Sequence, residues 1–259
     1  MLTDAQLLRY NRQILLHDFD IAGQERLQQS KVLVVGLGGL GCPAALYLAA
    51  AGVGELVLAD GDVVELSNLQ RQIAHTDADI GRNKARSVAD AIAALNPEVS
   101  VRVVEQSLVE SAMPALLAGV NVVIDATDNF PVRFALNRAC IAAGVPLVSA
   151  AAVRSEGQLA VFDPTGGGPC YACLYTEGEA GMHADPRTDT ALSCSESGVL
   201  APLVGVLGSL QAMEALKILS GYGEPMRGRL LVIDLRTTEF RELRLPVRVN
   251  CPACAQVHR

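Results

Sequence analysis

Six consecutive residues, Gly36-Leu37-Gly38-Gly39-Leu40-Gly41, constrain this chain more than any others. They spell G-x-G-x-x-G between a β-branched run (Val32, Val34, Val35) and an Ala/Leu run from Ala44 to Ala51. Between a strand and a helix, glycines at Gly36, Gly38, Gly39 and Gly41 permit a tight turn and close backbone approach to a ligand. The helix N-terminus behind them favours a phosphate. Asp60 ends the next apolar run, Leu56 to Asp60, where a carboxylate can accept hydrogen bonds from ribose hydroxyls. A glycine turn made only for packing would leave Asp60 unaccounted for. The combination points to an adenine nucleotide and leaves NAD and ATP both open.

The pattern around this loop predicts an α/β fold. Residues 4–29 read as helical with a break near Asp18 to Gly23, Lys31 to Gly36 as a strand, and Leu40 to Ala51 as a helix. Strands follow at Leu56 to Asp60, Val99 to Val104, Val120 to Ala126 and Pro146 to Ala151. Helices at Asn83 to Leu95, about 110–118 and 130–143 separate them. Such alternation implies a Rossmann-like, doubly wound, mostly parallel sheet with helices on both faces. After residue 152 the rhythm changes. A short strand at Gln158 to Phe162, a helix at Leu203 to Ser220 and a hairpin (Leu230 to Asp234, Glu239 to Arg244) predict an antiparallel C-terminal extension. Residues 176–192 lack apolar periodicity and read as a long mobile loop. The expected organisation is one domain: N-terminal helices over 1–29, a nucleotide-binding core over 30–152, and an extension over 153–259.

Composition narrows the function classes. A formal charge of -7 and no basic stripe argue against non-specific nucleic-acid binding. Val32 to Gly54 carries no charge and is long enough to span a bilayer. Its glycines and its two halves of different character instead predict a strand and a helix of a buried core. Val199 to Leu210 is too short to span. The N-terminus carries Asp4 and Arg9 where a signal peptide would be apolar, so a cytoplasmic location is expected.

Residues after Asp60 discriminate between nucleotides. Asn68, Arg71 and Lys84 offer an amide donor, a guanidinium fork and a point charge to a triphosphate. A nicotinamide site would not need two extra cations there. Asp125-Ala126-Thr127-Asp128-Asn129 falls at a strand end, the edge where open α/β sheets bind ligands. Asp128 is the natural carboxylate for Mg²⁺ bridging ATP phosphates. It also suits the N-cap of the helix starting near Phe130, so one of Asp125 and Asp128 caps while the other binds metal.

Of seven cysteines, Cys170, Cys173, Cys251 and Cys254 form two C-x-x-C pairs suited to tetrahedral Zn²⁺. Four thiolates leave no open position, so the metal's role is structural, tying the C-terminus to the body. A redox dithiol is the rival, and two such pairs weigh against it. Cys42 and Cys140 fall in helix interiors and read as core. His17, His75, His183 and His258 show no ligand spacing and receive no role.

These motifs together resemble the MoeB/ThiF/HesA family, bacterial relatives of the ubiquitin-activating enzymes. The resemblance rests on RYNRQILL (9–16), GLGGLG (36–41), SNLQRQ (67–72), DATDN (125–129) and CxxC (170–173). It continues through GVLAPLVGVLGSLQAMEALK (198–217) to CPAC (251–254). SLQAMEALK followed by SGYG looks closest to the molybdopterin-synthase adenylyltransferase branch, and ALYLAAAGVGELVLAD also resembles the thiazole-pathway branch. The resemblance implies ATP-dependent adenylation of the C-terminal Gly-Gly carboxylate of a small ubiquitin-like sulfur carrier. The carrier of molybdenum cofactor biosynthesis is the first expectation and that of thiamine biosynthesis the alternative. It implies Asp60 on ribose, Asn68, Arg71 and Lys84 on phosphates, and Mg²⁺ at Asp128 beside Asn129. It further implies a homodimer in which Arg12 reaches the partner's ATP. Cys194 becomes a candidate nucleophile for the activated carrier, against a plain reading as a small residue entering a helix. The resemblance makes it dispensable for adenylation.

Two other classes compete. An NAD-dependent oxidoreductase shares Gly36 to Asp60 but lacks a proton relay and has no use for Asn68, Arg71 and Lys84. A non-catalytic carrier-docking module would not retain the phosphate set.

Overall fold

The computed structural model describes residues 1–177 and 198–257 of the 259-residue chain. Cys194 and most of the loop expected at 176–192 lie outside the described residues. Eight strands form one sheet in the order β3-β2-β1-β4-β5-β6-β7-β8. The strands are β1 (Lys31–Val35), β2 (Glu55–Ala59), β3 (Ser100–Val104), β4 (Val122–Asp125), β5 (Leu147–Val153), β6 (Glu156–Phe162), β7 (Arg229–Asp234) and β8 (Glu239–Arg244). The first five pair in parallel, and β6, β7 and β8 are added antiparallel. The sequence reading of a mixed sheet extended by the C-terminal third holds. Its short strand at Gln158 to Phe162 is longer, because β5 and β6 pair as a hairpin turning through Arg154 and Ser155.

Alternation along the central strands splits the core between the two faces. Val32 and Val34 of β1 with Leu56 and Leu58 of β2 join one apolar cluster, whereas Leu33, Val35, Val57 and Ala59 join the other. This period of two is what a strand buried on both faces requires. The first face is covered by α3 (Asp20–Gln28), α4 (Gly41–Ala50), α5 (Lys84–Leu95) and α9 (Ala201–Ser220). The second is covered by α6 (Met113–Leu116), α7 (Phe130–Ala143), the short α8 (Tyr171–Leu174) and the cysteine pairs. Two further short helices, α1 (Asp4–Arg9) and α2 (Asn11–Ile14), precede α3, and the interruption falls at residues 15–19, slightly earlier than expected.

Helix α9 is the one described helix long and apolar enough to cross a membrane. Its apolarity has a local cause. Leu203, Leu207, Ala212 and Ala215 are buried against the sheet. A Cβ on Gly208 would stand 2.3 Å from the Leu40 carbonyl oxygen. The helix therefore packs directly behind the glycine loop, and the charge-free run 32–54 resolves into β1 and α4 as predicted.

Candidate functional site

The loop between β1 and α4 opens a cleft of about 1100 Å³ along the carboxyl ends of the parallel strands. Its four glycines do different work. Gly36 has φ +85°, and a Cβ there would meet the Ala126 carbonyl oxygen at 2.7 Å. At Gly41 a Cβ would lie 1.9 Å from the Gly36 carbonyl oxygen, so the turn itself excludes any side chain. Gly39 packs against Val204 of α9. Gly38 alone faces the cleft without such a demand, its nearest neighbour being the Gln72 amide at 3.4 Å from a Cβ position.

Asp60 lies across the loop. Its Oδ2 accepts the Leu37 N–H at 2.6 Å and its Oδ1 the Asp62 N–H at 2.8 Å. Each carboxylate oxygen retains a lone pair for a hydroxyl donor, and the residue lines the cleft. Burial pushes the Asp60 carboxyl above its ordinary range, against the two backbone bonds and the nearby Lys84, which act to lower it.

Asn68, Arg71 and Lys84 also line the cleft. Asn68 is buried, and its Oδ1 accepts the Glu65 N–H at 3.2 Å, closing the short turn Leu66–Asn68 and leaving the amide nitrogen toward Ser67. Arg71 is half-buried and donates to the Ser67 carbonyl at 3.0 Å. Lys84 is buried at the start of α5 and pairs with the exposed Asp62 at 2.8 Å. Because Asp62 is solvated, a phosphate can take its place at the ammonium at modest cost.

The segment after β4 separates two aspartates that the sequence left interchangeable. Asp125 is fully buried. It accepts from the Thr127 N–H and hydroxyl at 3.1 and 2.7 Å and from the Ser149 hydroxyl at 2.6 Å, with Arg133 at 3.8 Å. It is enclosed, and its bonds are all internal. Neither aspartate caps α7: the cap is Asn129, whose Oδ1 accepts the Val132 N–H at 3.0 Å. Asp128 is left exposed on the cleft wall with no hydrogen bond or ion pair among the described residues. Of the two, it is the one free to ligate a cation.

Arg12 is exposed on α2 and does not line the cleft of its own chain. Cys42 and Cys140 are buried, and burial pushes both thiols up to about 12, as inert core residues require.

Cys170, Cys173, Cys251 and Cys254 converge, their sulfurs all within 4.8 Å of one another. Cys170 lies 3.5 Å from Cys251 and 3.9 Å from Cys173, and Cys173 lies 3.5 Å from Cys254. A tetrahedral Zn²⁺ with bonds of about 2.3 Å sets sulfurs at edges of about 3.8 Å. A disulfide would need about 2.05 Å. The spacing fits four thiolates around one metal ion, so the cluster can hold zinc and dock the C-terminal segment to α8.

Three participants were given no role in the sequence reading, although Gln72 closes the SNLQRQ motif. His75 is buried behind the glycine loop, with Ser87 at 2.8 Å and the Leu37 carbonyl at 3.2 Å. Gln72 faces Gly38 with its Oε1 buried and without a hydrogen-bond partner among the described residues. Arg133 donates to the carbonyls of Thr127 and Ala150 beneath the cleft. Their partners lie up to 38 residues away, beyond any local spacing rule.

The model of the ThiF family matches residues 10–253. The molybdopterin-synthase adenylyltransferase of Escherichia coli (strain K12) is 50% identical over 98% of this chain and 99% of its own length. The sulfur carrier protein ThiS adenylyltransferase of the same strain is 44% identical over 98% of this chain and 97% of its own. Among solved structures, E. coli MccB superposes with a TM-score of 0.81 at 24% identity, covering 98% of this chain and 74% of that one. This last likeness concerns the fold.

Proposed function

This chain belongs to the ThiF family, and from that premise we propose that it adenylates the C-terminal Gly-Gly carboxylate of a small ubiquitin-like sulfur carrier. The observation that carries the reading is the lining of one cleft by Gly38, Asp60, Asn68, Arg71, Lys84 and Asp128. A dinucleotide oxidoreductase has no use for the last four. The carrier of molybdopterin synthase is the first choice of substrate, supported by the relative at 50% identity. The relative named for ThiS, at 44%, keeps the thiazole-pathway carrier as the second.

In the reaction, a carboxylate oxygen attacks the α-phosphorus of ATP in line. The bond from that phosphorus to the bridging oxygen breaks, pyrophosphate leaves with the electron pair, and an acyl-adenylate forms. Two anions must meet, so catalysis is positioning plus neutralisation. Asp60 holds the ribose, while Asn68, Arg71 and Lys84 hold phosphate oxygens. Asp128, beside Asn129, ligates Mg²⁺, which supplies charge neutralisation at the phosphates when bound. Arg12 acts on the nucleotide of a second copy, which makes the working form a homodimer. Residues 30–152 then serve the nucleotide, and 153–259 the carrier and the zinc site. The cleft runs on past the nucleotide region to Ala151, Arg154 and Gln158, room into which a tail without side chains could enter.

Carrier-dependent ATP–pyrophosphate exchange tests this. Exchange is expected with one Gly-Gly carrier, and comparing the molybdopterin and thiazole carriers identifies which. NADH oxidation without exchange by any carrier would sink the reading.

A further inference from the structure

We infer that His75 is a positioning residue for the nucleotide: it holds the Leu37 carbonyl inward and so aims the Gly38 N–H at a phosphate. The inference deepens the adenylation reading and rests on it for the phosphate over Gly38.

The argument starts from one peptide plane. The described residues contain no cis peptide bond, so the Leu37 C=O and the Gly38 N–H point in opposite directions. Inward, the Leu37 oxygen accepts from His75 Nε2 at 3.2 Å and from the Cys42 thiol at 3.2 Å. On the other side of the same residue, the Leu37 N–H is taken by Asp60 at 2.6 Å. The Leu37 side chain is fully buried. The Gly38 N–H is thereby turned to the cleft, and it has no acceptor among the described residues.

The hydrogen-bond partners assign the tautomer of His75, with the Cys42 thiol, 3.6 Å from Nε2, donating to the Leu37 oxygen. A carbonyl can only accept, so Nε2 carries a hydrogen. With the ring neutral, Nδ1 must then accept from the Ser87 hydroxyl, 2.8 Å away. Desolvation holds the ring below its ordinary pKa, consistent with the neutral form. Ser87 sits on α5, one turn after Lys84, so the chain of contacts Ser87–His75–Leu37 ties the phosphate lysine's helix to the glycine loop. Loops that bind phosphate through backbone N–H groups depend on the orientation of each peptide, and a flipped peptide presents a carbonyl to the anion instead.

Two near-isosteres separate positioning from mere filling of space. The amide nitrogen of His75→Gln reaches where Nε2 lies and keeps the donor to Leu37. His75→Asn reaches only the Nδ1 position, keeping Ser87 and losing Leu37. The readout is the ATP dissociation constant by titration calorimetry, alongside the urea midpoint and zinc content. Expected is about a tenfold weaker affinity for His75→Asn, the scale of one lost charge-assisted contact, with His75→Gln within about threefold of wild type. Ser87→Ala, which frees the ring to change tautomer, should weaken ATP binding by about threefold or more and serves as the test if His75→Asn fails to fold. Wild-type affinity in His75→Asn or in Ser87→Ala overturns the inference, as does equal loss in His75→Gln and His75→Asn. If wild-type protein binds NAD⁺ but not ATP, the adenylation reading falls, and the same variants measured with NAD⁺ decide His75 separately. Binding of neither nucleotide overturns both.

Discussion

The phenol of Tyr171 lies beside the buried guanidinium of Arg133, placing the cysteine cluster next to the floor of the nucleotide cleft. Tyr171 follows Cys170 directly, and its ring packs edge-on against Phe134 and Phe162. Arg133 in turn reaches the Thr127 and Ala150 carbonyls and faces Asp125. The segment carrying Asp128 is therefore supported from below by a residue that lies against the helix of the first cysteine pair. Burial disfavours the Arg133 charge, but Asp125 and the two tyrosines outweigh it and raise its pKa.

Arg133→Met should remove a buried countercharge from Asp125 and destabilise the fold by about 3–5 kcal/mol. Urea unfolding measures this. Tyr171→Phe keeps the ring packed on Phe134 and Phe162 and removes only the polar atom beside Arg133, so a loss of about 1 kcal/mol is expected. A larger loss in Tyr171→Phe than in Arg133→Met would contradict the order of support.

Asp128→Ala should abolish pyrophosphate exchange and leave stability within about 0.5 kcal/mol, because the side chain is exposed and unbonded among the described residues. Zinc content and dimerisation should not change. An active variant would refute the Mg²⁺ role.

The glycines should split by substitution. Gly41→Ala forces a Cβ to 1.9 Å from the Gly36 oxygen and is expected not to fold, or to lose several kcal/mol of about 5–15 available. Gly38→Ala meets only the tip of Gln72, so it should keep its thermal midpoint and lose ATP affinity. The comparison needs only a melting curve and a binding titration.

Cys254→Ser should lower bound zinc from one per chain and expose residues 245–257 to protease, while the nucleotide cleft still binds ATP. Chelator treatment of the wild type should do the same. Loss of ATP binding before the C-terminal segment is cleaved would contradict a structural site.

Much of this was legible in the sequence because the signals were local. The glycine loop lies between a strand and a helix within about twenty residues, and each C-x-x-C pair sits within four. The alternation of strands with helices marked a sheet covered on both faces. What stayed hidden depends on distant pairings. The N-cap of α7 was assigned to Asp128 or Asp125 by residue type. The cap is Asn129, because Thr127 and Ser149 occupy Asp125. His75 carried no motif, since its meaning comes from Leu37 and Ser87 arriving on either side of it.

The single ladder of eight strands also sets a length scale. From β1, which ends at the glycine loop, to the edge strand β8 there are five inter-strand steps, about 24 Å at about 4.8 Å each. No hinge interrupts them. A protein seated on β8 would need an extended tail of about seven residues to reach the nucleotide, at about 3.4 Å per residue. The sheet thus sets the reach that a C-terminus would need if its owner docked at that edge.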